Sequence, residues 1–370
     1  MTKAVPLLVP KLPDADALLP YLRQIDQNRW YTNFGPLARL LEERLAGMFM
    51  REPAPVQVVS VSSGTAGLEL ALAALQLKPG SRILVPALTF VASATAILGA
   101  GHVPLICDID PHSWLLTPEI ARQVLNETSF DAVMPVSTFG APQPVGGWDA
   151  FTAETGIPVV IDAAGAFGNQ TVGLTTRVVF SLHATKALAS GEGGIVLTRQ
   201  YSFAEKVRQL SNFGIDFSSG GLVFNAGENG KLSEYHAAVG LASLDQWDHI
   251  QAVRLDLQQR YQAALAQYCP RISLQQRPEQ GIYPILVVCL PQGLMAREIQ
   301  SSLLDHGIES RQWYCPTIDM HPAFAAYRHG ELGVSHNLSR RLLGLPYFID
   351  MQDEQIAKVC QALGELTNSV

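Results

Sequence analysis

The sequence predicts an α/β protein: a large domain with a mostly parallel central sheet flanked by helices, followed by a smaller C-terminal α+β domain. Three observations carry this. Residues 58 to about 200 alternate short β-branched runs with helical stretches, as βα units around a parallel sheet do. A long pattern with helical apolar spacing then runs from Ser233 through Leu241, Leu244, Trp247, Ile250, Val253 and Leu257 towards Cys269. The remainder mixes one strand-like run with two helical ones. These features place a large domain with its N-terminal segment over 1–245, and a small domain with its connecting helix over 246–370.

Size and composition agree with that plan. The chain has 370 residues, 48% hydrophobic and only 16% charged, enough apolar material for a sizeable core. A net charge of −7 argues against nucleic acid or an anionic membrane as main partner. No apolar run reaches the length of a membrane span, and the Pro-broken start does not read as a signal peptide. Five scattered cysteines (107, 269, 289, 315 and 360) read as buried small hydrophobes of a reducing, cytoplasmic protein. Nine histidines form no metal-binding spacing, so no metal site is expected.

In chain order, the segment up to about Gly35 offers one short helix and no strong core pattern, and is expected to lie across the surface or a partner. Strand-like runs follow at Val58–Val61, Arg82–Val85, Val103–Asp108, Ala132–Val136, Val159–Ile161, Val178–Ser181 and Ile195–Thr198. Helical stretches lie between them, among them Ala66–Leu77, Val91–Leu98 and Pro118–Leu125. The C-terminal part holds a strand-like Ile282–Cys289 and helices near Ala296–His306 and Asp353–Thr367.

The most informative residue is Lys186, set between the apolar run 178–182 and the glycines Gly191, Gly193 and Gly194 that precede a second apolar run. A lysine held between two buried strands loses hydration, which lowers its pKa and frees the neutral amine that a Schiff base requires. Four further segments add chemistry. Ser62-Ser63-Gly64-Thr65 follows a strand and opens a helix; Gly64 permits close backbone approach, Thr65 offers a hydroxyl, and the helix start offers free N–H groups to a phosphate. It is also an ordinary N-cap. Asp162 ends an apolar strand, where ligands collect in open α/β sheets; a carboxylate there either caps a helix or faces a cation such as a pyridinium nitrogen. Phe90, shortly after a strand end, is placed to stack on a flat ring or to sit in the core. The polar loop Gly227–Lys231 offers Asn229 and Lys231 to an anion, or simply precedes a helix capped by Ser233.

These segments resemble, in the same order, the DegT/DnrJ/StrS family of pyridoxal 5′-phosphate (PLP)-dependent nucleotide-sugar aminotransferases, of fold type I and aspartate aminotransferase-like. The resemblance covers nearly the whole chain. It includes Trp30-Tyr-Thr-Asn-Phe-Gly-Pro36, Leu41-Glu-Glu-Arg-Leu45, Gly101–Pro111 and Leu343–Phe348. Its most specific parts are Ser181-Leu-His-Ala-Thr-Lys186 and Gly191-Glu-Gly-Gly194.

The resemblance implies that Lys186 anchors PLP covalently and moves the proton, and that Asp162 pairs with the pyridine nitrogen. It implies that Gly64, Thr65 and Ser181 bind the phosphate and that Phe90 covers the ring. It further implies that Asn229 reaches the phosphate of a neighbouring subunit in a homodimer with shared active sites. Tyr31, Asn33, His183, Lys231 and Arg311 are candidates for substrate contacts. The implied reaction moves the amine of L-glutamate, by way of pyridoxamine phosphate, to a nucleotide-linked ketosugar in amino-sugar, O-antigen or polysaccharide biosynthesis. The stretches Ser211–Asp216 and Asn229–Glu234 resemble enzymes acting at C4 of a dTDP-4-keto-6-deoxyhexose. A C3 enzyme, another fold type I enzyme on a non-sugar substrate, and a PLP-binding regulatory protein are the alternatives. Two positions depart from the family: Gly165 where Gln or His is common beside the cofactor ring, and Ser137 where a histidine is common.

Overall fold

The computed structural model describes residues 4–50 and 55–368; the first three residues of the N-terminal segment lie outside them. Two helices, α1 (Ala15–Asn28) and α2 (Pro36–Met48), precede the first strand. The alternating region then gives β1 (Gln57–Val61), α3 (Gly64–Ala74), β2 (Arg82–Pro86), α4 (Val91–Gly99), β3 (Val103–Cys107), α5 (Pro118–Glu127), β4 (Ala132–Val133), α6 (Val145–Thr155), β5 (Val160–Asp162), β6 (Arg177–Ser181), β7 (Gly194–Thr198) and α7 (Tyr201–Ser211). Strands β3-β2-β4 and β5-β6-β7-β1 pair as two ladders. Parallel bridges Val133–Val159 and Val136–Asp162 join them into one sheet of order 3-2-4-5-6-7-1. Among the described strands of that sheet, β7 alone points opposite to the rest.

Helices cover both faces, and this is why the strands read as unbroken apolar runs rather than alternating ones. Successive residues of a strand point to opposite sides. Val58, Leu84, Val178 and Ile195 enter a core beneath α2 and the later helix α8 (Glu234–Asp245). Their neighbours Val59, Ile83, Val179 and Val196 enter a second core with α3, α4 and α7. β4 is shorter than the run 132–136 suggests because Pro135 has no N–H to donate to a ladder.

A small antiparallel hairpin, β8 (Ile215–Asp216) and β9 (Leu222–Val223), precedes α8. The single connecting helix expected from Ser233 is two helices. α8 ends at Asp245 and α9 (Trp247–Tyr268) begins after Gln246, whose backbone (φ −102°, ψ 5°) interrupts the helix. Beyond them lies a second sheet, β10 (Ser273–Leu274), β11 (Leu286–Cys289) and β12 (Leu342–Leu345), with α10 (Ala296–Asp305), α11 (Gly333–Arg341) and α12 (Asp353–Asn368). It packs with α9, α10 and α12 into a separate core.

The N-terminal segment does more than cross the surface. Val5 is buried in that C-terminal core and exchanges hydrogen bonds with Gly307 and Glu309, while the Leu7 carbonyl accepts from Tyr347 N–H. Ile25 of α1 is buried against the large sheet's core. Four of the cysteines are buried as expected, but Cys315 is exposed; none is in a disulfide. Among the described residues no helix is long and apolar enough to cross a membrane.

Candidate active site

The C-terminal ends of the parallel strands converge on one edge of the sheet, and most of the cofactor candidates gather there. Asp162, last residue of β5, is 5% exposed. The Ser93 hydroxyl of α4 donates to its Oδ2 (2.7 Å), and the Ala164 N–H donates to its Oδ1 (3.1 Å). Thr89 and Ser93 share a further hydrogen bond of 2.8 Å. Burial pushes the Asp162 carboxyl up, and the two hydrogen bonds and Lys186 pull it back.

Lys186 sits in the loop between β6 and β7. That loop is cross-linked like a long hairpin: Leu182 N–H donates to Gly193 O, Ala184 N–H to Gly191 O, and Lys186 N–H to His183 O. Gly191 (φ 85°) and Gly193 (φ 153°) supply the left-handed conformations the return requires. Desolvation lowers the Lys186 pKa and Asp162 opposes it, so the amine is held closer to its neutral form than an exposed lysine.

Ser181 ends β6 against the start of α3. A Cβ on Gly64 would lie 2.8 Å from Ser181 Cβ, so only glycine lets these two elements meet so closely. Ser63 caps α3 through the Ala66 N–H (3.0 Å). The N–H groups of Gly64 and Thr65 have no partner among the described residues and open onto the same edge.

Phe90 precedes α4 and is 57% exposed, so it is not a core phenylalanine. Its ring lies 6.0 Å from that of Tyr314, which stacks on Phe139 at 5.3 Å. Burial and the neighbouring Asp162 raise the Tyr314 hydroxyl's pKa. The sequence reading missed both Ser93 and Tyr314. The aromatic pair Trp313-Tyr314 ahead of Pro316 is the signal that could have marked the second.

The other candidates are less central. Lys231 donates to Asn229 Oδ1 (2.7 Å) and lies 4.6 Å from the Phe213 ring centre, so its ammonium is turned to its own loop. That loop pairs with the turn before α3 through Ser62 N–H and Gly230 O. Tyr31 stacks on Tyr235, and Asn33 adopts a left-handed backbone (φ 61°). Neither makes a hydrogen bond or ring contact with the Lys186 cluster among the described residues. His183 is satisfied locally by Thr185 Oγ1 (2.9 Å), with Glu192 at 3.7 Å. Arg311 is exposed over Trp313 and close enough to Tyr314 to lower its pKa. Gly165 packs against Pro284, 3.4 Å from where its Cβ would stand, and against Gly140.

A family model for DegT/DnrJ/EryC1/StrS aminotransferases matches this chain over residues 14–364. The chain belongs to this aminotransferase family. Protein Rv3402c of Mycobacterium tuberculosis (strain H37Rv) is 30% identical over 379 residues, spanning 98% of this chain and 90% of the relative. A crystal structure of DesI in the presence of its TDP-sugar product superposes with a TM-score of 0.88 at 28% identity, covering 99% of this chain and 94% of DesI. S. venezuelae DesV gives 0.87 at 26%, covering both chains fully.

As a member, the protein is a PLP-dependent aminotransferase. The residues present fit that cofactor. A buried carboxylate with no cation but Lys186 among the described residues suits a protonated ring nitrogen, and the unpartnered N–H groups of Gly64 and Thr65 suit a phosphate.

Proposed function

We propose that this aminotransferase transfers the amine of L-glutamate to C4 of a dTDP-4-keto-6-deoxyhexose, working in the cytoplasm as a homodimer in amino-sugar and polysaccharide biosynthesis. The observation that carries the sugar class is the full-length likeness to DesI, a protein characterised with a TDP-sugar product. The reading divides the chain at 1–245 and 246–370. The two separate sheets support that division, although residues 5–7 pack with the C-terminal core.

When bound, PLP supplies an electrophilic carbon for the amine and a ring that accepts the electron pair of a broken C–H bond. The chain's residues do the rest. Asp162, fixed by Ser93 and Ala164, holds a proton on the ring nitrogen. Gly64 and Thr65 N–H groups and the Thr65 and Ser181 hydroxyls bind the phosphate. Phe90 and Tyr314 cover the ring and exclude water. Lys186 would anchor the cofactor and, once released from it, would take the proton from the donor's α-carbon; burial lowers its pKa, which favours the neutral amine. Asn229 completes the phosphate site of the partner subunit, and Tyr31, Asn33, His183, Lys231 and Arg311 are the candidates for substrate contacts.

A panel of nucleotide ketosugars generated in situ, incubated with enzyme, PLP and L-glutamate and read by mass spectrometry, tests this. A 4-amino product from the dTDP-4-keto sugar supports it. Amination only at C3, or only of a non-sugar ketone, overturns it.

A further inference from the structure

Two half-exposed aromatic rings stand beyond the loop that leads away from the cofactor turn. The rings of Tyr31 and Tyr235 lie 6.3 Å apart and within 14° of parallel, and the residues are 48% and 49% exposed. With Trp30 beside them, also exposed, they leave an aromatic face open, and clustered apolar surface of this kind marks a place of binding.

Buried polar contacts hold the pair in place. Glu234, 1% exposed, accepts hydrogen bonds from the Leu37 and Ala38 N–H groups at the start of α2, each 2.8 Å long. Its own N–H donates to the Tyr31 carbonyl oxygen at 3.0 Å. The positive end of the helix offsets the carboxylate's charge. A Cβ on Gly35 would stand 2.5 Å from Glu234 Cδ, so only glycine lets the segment after Tyr31 lie so close. Two residues far apart in the chain are thus one rigid unit, which loses little conformational freedom when a ligand stacks on it.

Lys231 connects this unit to the cofactor turn. It bridges Val61, the last residue of β1, and lies four residues before Tyr235, a reach of at most about 14 Å. Its ammonium has three donors and one acceptor, Asn229 Oδ1, and it forms no ion pair among the described residues. A cation there suits a diphosphate, and an aromatic pair beyond it suits the attached base.

We infer that Tyr31 and Tyr235 form the platform on which the base of the nucleotide-linked ketosugar stacks. This rests on the nucleotide-sugar reading above and gives that substrate its base-binding end. Stacking holds the base by its π face and needs no hydrogen bond to its edge. The contact therefore depends on the rings and not on the tyrosine hydroxyls.

The test compares the PLP-loaded wild type with Tyr31→Ala, Tyr235→Ala and a double variant carrying Tyr31→Phe and Tyr235→Phe. Calorimetry measures binding of dTDP and of inorganic pyrophosphate, which lacks the base. Proton NMR follows the thymine methyl signal, and light scattering and melting curves report assembly and fold. Wild type is expected to bind dTDP more tightly than pyrophosphate and to move the methyl signal upfield through the ring currents of the platform. Each alanine variant weakens dTDP binding about tenfold and loses most of that shift, while pyrophosphate binding stays within about threefold. The double phenylalanine variant keeps dTDP affinity within about threefold of wild type. Equal dTDP affinity in wild type and both alanine variants overturns the inference. So does an equal loss for dTDP and pyrophosphate. Alanine variants that change the size of the assembly overturn it too, since the pair is then a contact between copies of the chain. A wild type that binds neither ligand removes the nucleotide-sugar reading itself, a result distinct from a loss confined to the tyrosine variants.

Discussion

Ser93→Ala removes one hydroxyl from the molecule and leaves the rest of the site in place. Ser93 is fully buried in α4, where alanine is at least as good a helix former. Its hydroxyl makes the 2.7 Å bond to Asp162 Oδ2 and links to Thr89. A hydrogen bond to a charged group contributes about 2 kcal/mol, so its loss disfavours the Asp162 anion by roughly 30-fold. An anion so weakened holds the ring-nitrogen proton less well, and the ring withdraws electrons less effectively. Stopped-flow measurement of the L-glutamate half-reaction should then show a 10- to 30-fold slower step, with the melting temperature of the cofactor-free protein lowered by only a few degrees. Equal rates for variant and wild type would refute the reasoning. So would a rate loss matched by a loss of fold.

Lys186→Ala should abolish the borohydride-reducible link to PLP and slow the half-reaction by roughly a thousandfold, the scale of a lost general acid–base; a surviving link would place the anchor elsewhere. Gly64→Ala puts a methyl 2.8 Å from Ser181 Cβ and 3.2 Å from its Cα, where backbone must shift. A cost of about 1–3 kcal/mol and weaker PLP retention are expected in melts and dialysis. Asp162→Asn tests the charge itself. Burial raises the Asp162 pKa in the folded, cofactor-free protein, so stability present below the unfolded pKa is lost as pH rises through the folded value. The cofactor-free variant should therefore melt roughly 2–4 °C above wild type at neutral pH, a gap that closes on acidification. With PLP bound the order should reverse, because the ring nitrogen then lacks its anion.

Much of the fold is legible because its strands are buried on both faces. An apolar run such as 178–182 can only be a core element, and Gly191 and Gly193 mark the return that carries Lys186. The legible part of the site follows the same logic: Asp162 and Ser181 are the last residues of their strands. What the sequence hides is non-local. Ser93 and Asp162 are 69 residues apart, and nothing in the stretch Val91–Gly99 distinguishes a serine that fixes a carboxylate from one that faces a helix. Tyr314 comes from the C-terminal half and meets Phe90 at the sheet edge only through tertiary packing. The pairing of Val5 with the region around Gly307 is invisible for the same reason, since a single paired stretch broken by prolines has no period to read.

Two groups at this edge are incomplete in the bare chain, and each lacks a different partner. Among the described residues Asp162 has no cation beyond Lys186, whose own pKa burial lowers, and the α3 start has N–H groups without an acceptor. Each deficit costs stability on folding, so a ligand that fills one should stabilise the protein by mass action. A ring nitrogen and a phosphate arrive together on the cofactor, so PLP should raise the melting temperature further than inorganic phosphate, which answers the α3 start alone.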